Sequence, residues 1–235
     1  ILFGCMTLLS LGFVARIEMP EAPSDVEISV ADRRVLRRLI VDRRVIAAML
    51  VVISFRYSIG VFEPLWATHL DDLGASTRLI AFSLTAFALP MMIIAKPAGR
   101  MTDRFGARWM SVLPALVSAV LMMTYGYTPF LWVIIAVAGV HGMMEAMLNP
   151  ATQAGIADVT ADEDAASAQG LAEAAGSAAS AVGAFSAPVV FEAWGAGPAW
   201  MMAGCVMVAL VAASWLLDRP KLKTADGTSR RERVG

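Results

Sequence analysis

The sequence predicts an all-α membrane protein, a six-helix transmembrane bundle preceded by the end of another span. Three observations predict it. Apolar residues make up 58% of the 235 residues and the mean hydropathy is +0.65, well above a soluble domain. Six apolar stretches approach the ~20 residues a helix needs to cross hydrocarbon. The basic residues are also one-sided. Seven Lys and Arg fall in 16–44, four in 96–108 and six from Arg219 onward, so seventeen of nineteen share one face of such a bundle. Loops rich in Lys and Arg stay cytoplasmic, so the expectation is a multi-pass cell-membrane protein with its linker and carboxyl terminus in the cytoplasm.

Taken in order, Ile1 to Ala15 is apolar but short for a crossing, and reads as the end of a preceding span (1–15). A cytoplasmic linker follows (16–44). Ser24 and Glu27 fit a capping box there, and Val35, Leu36, Leu39 and Ile40 recur at helical spacing opposite Arg33, Arg34, Arg37 and Arg38. That pattern predicts an amphipathic basic helix on the inner leaflet. The six-helix bundle (45–217) then uses about Val45 to Thr68, Leu79 to Ala98, Trp109 to Tyr127, Phe130 to Leu148, Gln169 to Ala193 and Ala199 to Leu217. A basic cytoplasmic tail closes the chain (218–235).

Between the second and third of these spans runs Gly99-Arg100-Met101-Thr102-Asp103-Arg104-Phe105-Gly106-Ala107-Arg108. Its arginines anchor one membrane face, and Gly99 and Gly106 are expected to permit a tight reversal. This Gly, Asp-Arg, Gly, Arg pattern resembles the loop signature of the major facilitator superfamily, which joins the second and third spans of each six-helix half. The resemblance implies the carboxyl-terminal half of that fold, with a look closest to bacterial drug:proton antiporters. It further implies a cytoplasmic gating loop in which Asp103 braces a helix end of the missing amino-terminal half while Arg104 and Arg108 hold the gate, on the glycines Gly99 and Gly106.

The charges within the spans fit such a carrier. An ionised side chain at mid-depth costs about 2.5 to 3.5 kcal/mol in lipid, so the spans holding Arg56 and Glu63, Lys96, His141 and Glu145, and Glu173 with Glu192 must face protein or water. The third and sixth spans hold no ionisable group apart from interfacial Tyr, and can face lipid. Arg56 sits about eleven residues from each end of its span and demands a partner, with Glu145 and Glu173 nearest in depth. Glu63 is some 10 Å further along the same face, at 1.5 Å per residue. His141 and Glu145, four apart, share a helix face and could exchange a proton. Cavity or proton-coupling candidates are therefore Arg56, Glu63, His141, Glu145 and Glu173, whereas Lys96 and Glu192 lie near interfaces and read as anchors.

Eighteen of the twenty-three residues from Ala165 to Ala187 are Ala, Gly or Ser, a composition suited to close helix contact and placing that span inside the bundle. Gly176, Ser180 and Ala184 form one stripe, Gly183 and Ala187 another. Prolines 64, 90, 114, 150 and 188 interrupt spans, and Asn149-Pro150 is expected to end or bend the fourth. Cys5 and Cys205 have no metal or redox spacing and read as core residues.

No zinc helix, phosphate-cradling loop or dinucleotide fingerprint is present, so the sequence points away from an enzyme, and no metal or cofactor is expected. The expected function is transport of small molecules by alternating access, by proton-coupled efflux of drugs or hydrophobic metabolites. An uptake carrier for sugars or other metabolites, and a non-transporting regulatory or vestigial half, stand as alternatives. Expected partners are a small-molecule substrate, protons, the lipid bilayer and the missing six-helix half, with no nucleic acid.

Overall fold

The computed structural model describes residues 30–218. The expected 1–15 span, the Ser24/Glu27 capping box, Cys5 and nearly all of the basic tail lie outside the described residues. The chain divides into two packing units, Ile1–Arg34 and Val35–Gly235, and the bundle belongs wholly to the second.

Among the described residues all regular structure is helical: α1 (Val30–Val41), α2 (Arg43–Asp72), α3 (Thr77–Phe105), α4 (Ala107–Tyr125), α5 (Leu131–Ala157), a short 3-10 turn (Asp162–Asp164), α6 (Ala165–Trp194) and α7 (Ala196–Leu217). Helices α2 to α7 are each long and apolar enough to cross a membrane. Asp42 caps α2 by accepting from the Arg44 amide at 2.8 Å, and Ser76 caps α3 through the Leu79 amide, satisfying donors that a helix start leaves unpaired.

The helices outrun the apolar stretches that predict them. α3 continues through Lys96 and the whole charged segment to Phe105. The expected reversal at Gly99 is therefore not observed: Gly99 is helical, and the chain turns at Gly106 alone, where φ is +86°. A β-carbon resists that conformation, and glycine does not. Likewise α5 runs past Asn149-Pro150 to Ala157, because a membrane helix absorbs a proline when neighbours satisfy the freed carbonyl.

The core lies where α2, α4, α5 and α7 meet, around Phe62, Trp66, Met122, Tyr125, Ile134, Trp200 and Met207. Ser54 and Ser214 stitch α2 to α7, each donating to a backbone carbonyl across the contact (Met207 and Ala47). α3 is peripheral. It packs on α5 and leaves Phe82, Leu89, Met92 and Ile93 exposed. α4 and α7 each bury one face and expose another, with Trp109, Leu113 and Val120 outward on α4. Cys205 is on the outward face of α7, so it is exposed and not a core residue.

Two sequence expectations change in form. The small-residue helix α6 is not enclosed on all sides. It lays one stripe, Ala168, Ala172, Gly176, Gly183 and Ala187, against α2, whereas Ala184, Val182 and Phe185 face outward. The apolar face of α1 is also divided. Leu39 and Val35 pack on Val45, Ile156, Ala168 and Ala172 of the bundle, leaving Ile40 exposed, and Arg38 pairs with Asp164 just before α6.

Candidate functional site: a charged seam along helix α2

Helix α2 carries the site, because its two faces meet different partners. Toward α6, Arg56 forms an ion pair with Glu173, so of the two carboxylates nearest in depth it is Glu173 that answers the mid-span cation. Gly176, one turn beyond Glu173, makes the room. A β-carbon there would lie 2.6 Å from Arg56 Cγ and 3.4 Å from Val52 Cγ1. The missing side chain lets the arginine stem lie flat against α6 and hold its guanidinium at the carboxylate.

Toward α5, the same helix presents Ser58, whose hydroxyl lies 3.1 Å from Glu145 Oε1 and 2.7 Å from the Phe55 carbonyl. His141, one turn before Glu145 on α5, brings Nε2 to 3.4 Å from that same Oε1. Both side chains are buried, His141 fully. On the other side of the imidazole, Tyr125 on α4 hydrogen-bonds Nδ1 at 3.0 Å. An imidazole engaged at one nitrogen has its tautomer and ring orientation set at the other, so Tyr125 aims Nε2 at Glu145.

Tyr125, the last residue of α4, adds a buried side chain to the site that the sequence reading did not include. It is 1% exposed. Its side chain holds His141 while its backbone carbonyl accepts from His69 Nε2 at 3.1 Å. The two histidines thus belong to one buried cluster, attached to opposite ends of one residue. Aromatic rings wall it: Phe62 stacks on Trp66 (4.8 Å) and Phe87 (4.6 Å), and both phenyl rings meet His141 edge-on at 5.7 Å. Trp66 Nε1 donates to Ser83 of α3 at 2.9 Å, and Gly142 lets α5 close on the Phe87 backbone, where a β-carbon would come within 2.7 Å of the carbonyl oxygen.

The remaining candidates stand apart from this cluster. Glu63 is exposed on α2, and Lys96 and Glu192 are exposed. Of the loop residues, Asp103 is exposed, Arg104 lies 5.3 Å over the Phe105 ring, and Arg108 pairs with Asp218 at the end of α7 at 2.7 Å. Arg43 donates to the Leu217 carbonyl at 2.8 Å, so the starts of α2 and α4 and the end of α7 meet at one charged end of the bundle. Among the described residues no group of three or more His, Cys, Asp or Glu could hold a metal.

The sequence profile described as Major Facilitator Superfamily matches residues 45–234. The chain belongs to the major facilitator superfamily. Members of this superfamily are transporters, and the six spanning helices are those of a multi-pass membrane protein. The chain is similar to Multidrug resistance protein 1 of Bacillus subtilis (strain 168), 28% identical over 112 residues, which cover 48% of this chain and 29% of that protein. It is also similar to Multidrug resistance protein 2 of the same organism, 26% identical over 112 residues, covering 48% of this chain and 28% of that protein. Each alignment therefore spans less than a third of the relative's length.

Ion pairing in this superfamily bundle gives a direct prediction. Arg56→Leu alone leaves Glu173 without its cation, and because the two side chains are 35% and 50% exposed the expected penalty is about 0 to 1 kcal/mol. The double variant Arg56→Leu/Glu173→Leu removes both charges and is expected to recover most of the loss. Thermal unfolding of the detergent-solubilised variants measures the difference, and equal melting temperatures for the single and double variants would show that the pair contributes nothing.

Proposed function

We propose that this chain is the second six-helix half of a carrier that exports drugs or hydrophobic metabolites from the cell in exchange for protons, by alternating access. The observation that carries the reading is Glu145: a carboxyl group fully inside the bundle, contacted by a hydroxyl and an imidazole, with no Lys or Arg within ion-pair distance among the described residues. A carboxyl group surrounded by neutral partners is suited to bind and release a proton, because no fixed cation holds it in one state. The printed names of the two bacterial relatives supply the drug class.

In this reading Arg56 and Glu173 form a charged latch beside the substrate path, and Glu63 lies nearer the outer mouth. The linker (16–44), the 99–108 segment and the tail (218–235) are cytoplasmic, where their Lys and Arg favour retention. Asp103, Arg104 and Arg108 gate that side against the amino-terminal half. Substrate and protons would use one passage in turn, since carriers of this architecture rock one half about the other around a midplane site.

The test is transport by the full-length carrier in proteoliposomes. Ethidium, a fluorescent hydrophobic cation, is expected to be driven toward the acidic side of an imposed proton gradient with saturable kinetics, while protons cross in the opposite direction. Flux that ignores the proton gradient overturns the coupling. The polypeptide of residues 1–235 reconstituted alone is expected to carry no saturable flux. If it transports by itself, the assignment as one half of a carrier is wrong.

A further inference from the structure

We infer that the Ser58 hydroxyl reads the protonation state of Glu145 and passes it along α2 to Arg56. The inference rests on the proton-exchange reading above. Its basis is a count of hydrogens. Ser58 has one, and two acceptors compete for it: the Phe55 carbonyl at 2.7 Å and Glu145 Oε1 at 3.1 Å.

When Glu145 is ionised, both of its oxygens only accept. The Ser58 hydrogen then belongs to Oε1, because a carboxylate is the stronger acceptor, and the Phe55 carbonyl loses its side-chain partner. When Glu145 takes up a proton, its O–H becomes a donor and Ser58 Oγ accepts. The Ser58 hydrogen swings back to Phe55. One proton gained at Glu145 thus makes one side-chain hydrogen bond to the α2 backbone.

The consequence for the helix is mechanical. A serine that hydrogen-bonds back to the carbonyl one turn earlier bends its helix. Phe55 immediately precedes Arg56, whose side chain reaches Glu173 on α6, so bending α2 at Phe55 moves the root of that ion pair. Pro64, further along α2, already interrupts its backbone ladder. The hydroxyl is fully buried, as is the carboxyl group it serves, so water does not intervene to blur the choice between acceptors. Ser58 is a positioning residue here, since it acts through Glu145 and the backbone.

The groups around Glu145 are consistent with a two-state hydroxyl. His141 approaches from the same helix as Glu145, Tyr125 from α4 holds that imidazole, Glu63 on α2 is a second carboxyl group near enough to influence it, and α3 contributes the apolar ring of Phe87. None of these competes for the Ser58 hydrogen.

The experiment uses the full-length carrier with Ser58→Ala and Glu145→Gln. In infrared difference spectra between acid and alkaline buffer, the protonated carboxyl band of Glu145, identified by its loss in Glu145→Gln, is expected to move to higher frequency in Ser58→Ala because its O–H has lost an acceptor. In proteoliposomes, Ser58→Ala is expected to lose at least tenfold of proton-driven flux. An unmoved band, or wild-type proton-driven flux, overturns the relay. If Glu145→Gln itself transports with wild-type proton dependence, the carboxyl assignment fails and the relay fails with it. A coupling defect in Glu145→Gln beside a normal Ser58→Ala removes the relay alone. Should Ser58→Ala prove too unstable for flux, the infrared band in purified protein decides.

Discussion

A single methyl group added at Gly60 is expected to force α2 away from α6 and to lower the melting temperature of the solubilised protein by several degrees. The new carbon would fall on the backbone of Ser180, which cannot rotate aside as a side chain can. At the matching position on α6, a β-carbon on Gly183 would lie 2.8 Å from the Tyr57 carbonyl oxygen and 3.1 Å from the Val61 nitrogen. The two glycines therefore face the opposing backbone from both sides of one crossing, and membrane helices that lack a hydrophobic drive to associate depend on such close approach. Overpacking of this kind costs about 1 to 3 kcal/mol, and more where backbone must shift. Phe185→Ala, on the outward side of α6 at 78% exposure, is the control and is expected to leave the melting temperature unchanged. If Gly60→Ala melts with wild type, the close crossing does not hold the bundle together.

The second large effect belongs to Glu145→Gln, which is expected to reduce proton-driven flux of the full-length carrier to the background of empty liposomes while the protein stays folded. Glutamine keeps the shape of the side chain and can still accept from Ser58, so a buried polar group is not left unpaired. What it cannot do is exchange a proton. Glu63→Gln and Glu173→Gln, assayed beside it, separate the roles: the first is expected to retain coupling, and the second to behave as a broken ion pair with lowered stability. Coupled transport by Glu145→Gln would move the proton site elsewhere.

Much of the architecture was legible because hydrocarbon imposes a length on apolar segments and a penalty on charges. All six spanning helices fall on the predicted stretches. Their ends were not legible, because helix continues past the apolar run wherever charged residues such as Lys96 to Arg104 can still pair their backbone. Of the site, the charged residues announced themselves by sitting where lipid would penalise them. Their partners did not. That Arg56 meets Glu173 and not Glu145 depends on which helices adjoin, and no spacing within one helix encodes it. Tyr125 stands at the end of an apolar stretch, where tyrosines commonly sit, and only the tertiary fold reveals that its ring turns inward onto His141. Ser58 carried no signal at all, since a serine in an apolar helix is ordinary until a carboxyl group comes to rest beside it.

The peripheral position of α3 bears on how the molecule is made. Its main packing partner, α5, is completed fifty-two residues after α3 ends. At roughly 5 to 20 residues per second, α3 spends several seconds in the bilayer before that neighbour arrives. Its outward residues Phe82, Leu89, Met92 and Ile93 make it comfortable there as a solitary helix. α6 faces the opposite situation. Poor in large apolar side chains, it would be a weak tenant of hydrocarbon by itself, but its partner α2 is already waiting when the ribosome reaches Ala165. Photocrosslinking of arrested nascent chains is expected to find α3 against lipid until α5 emerges, and α6 against α2 from the start, so the order of synthesis and the distribution of side chains match.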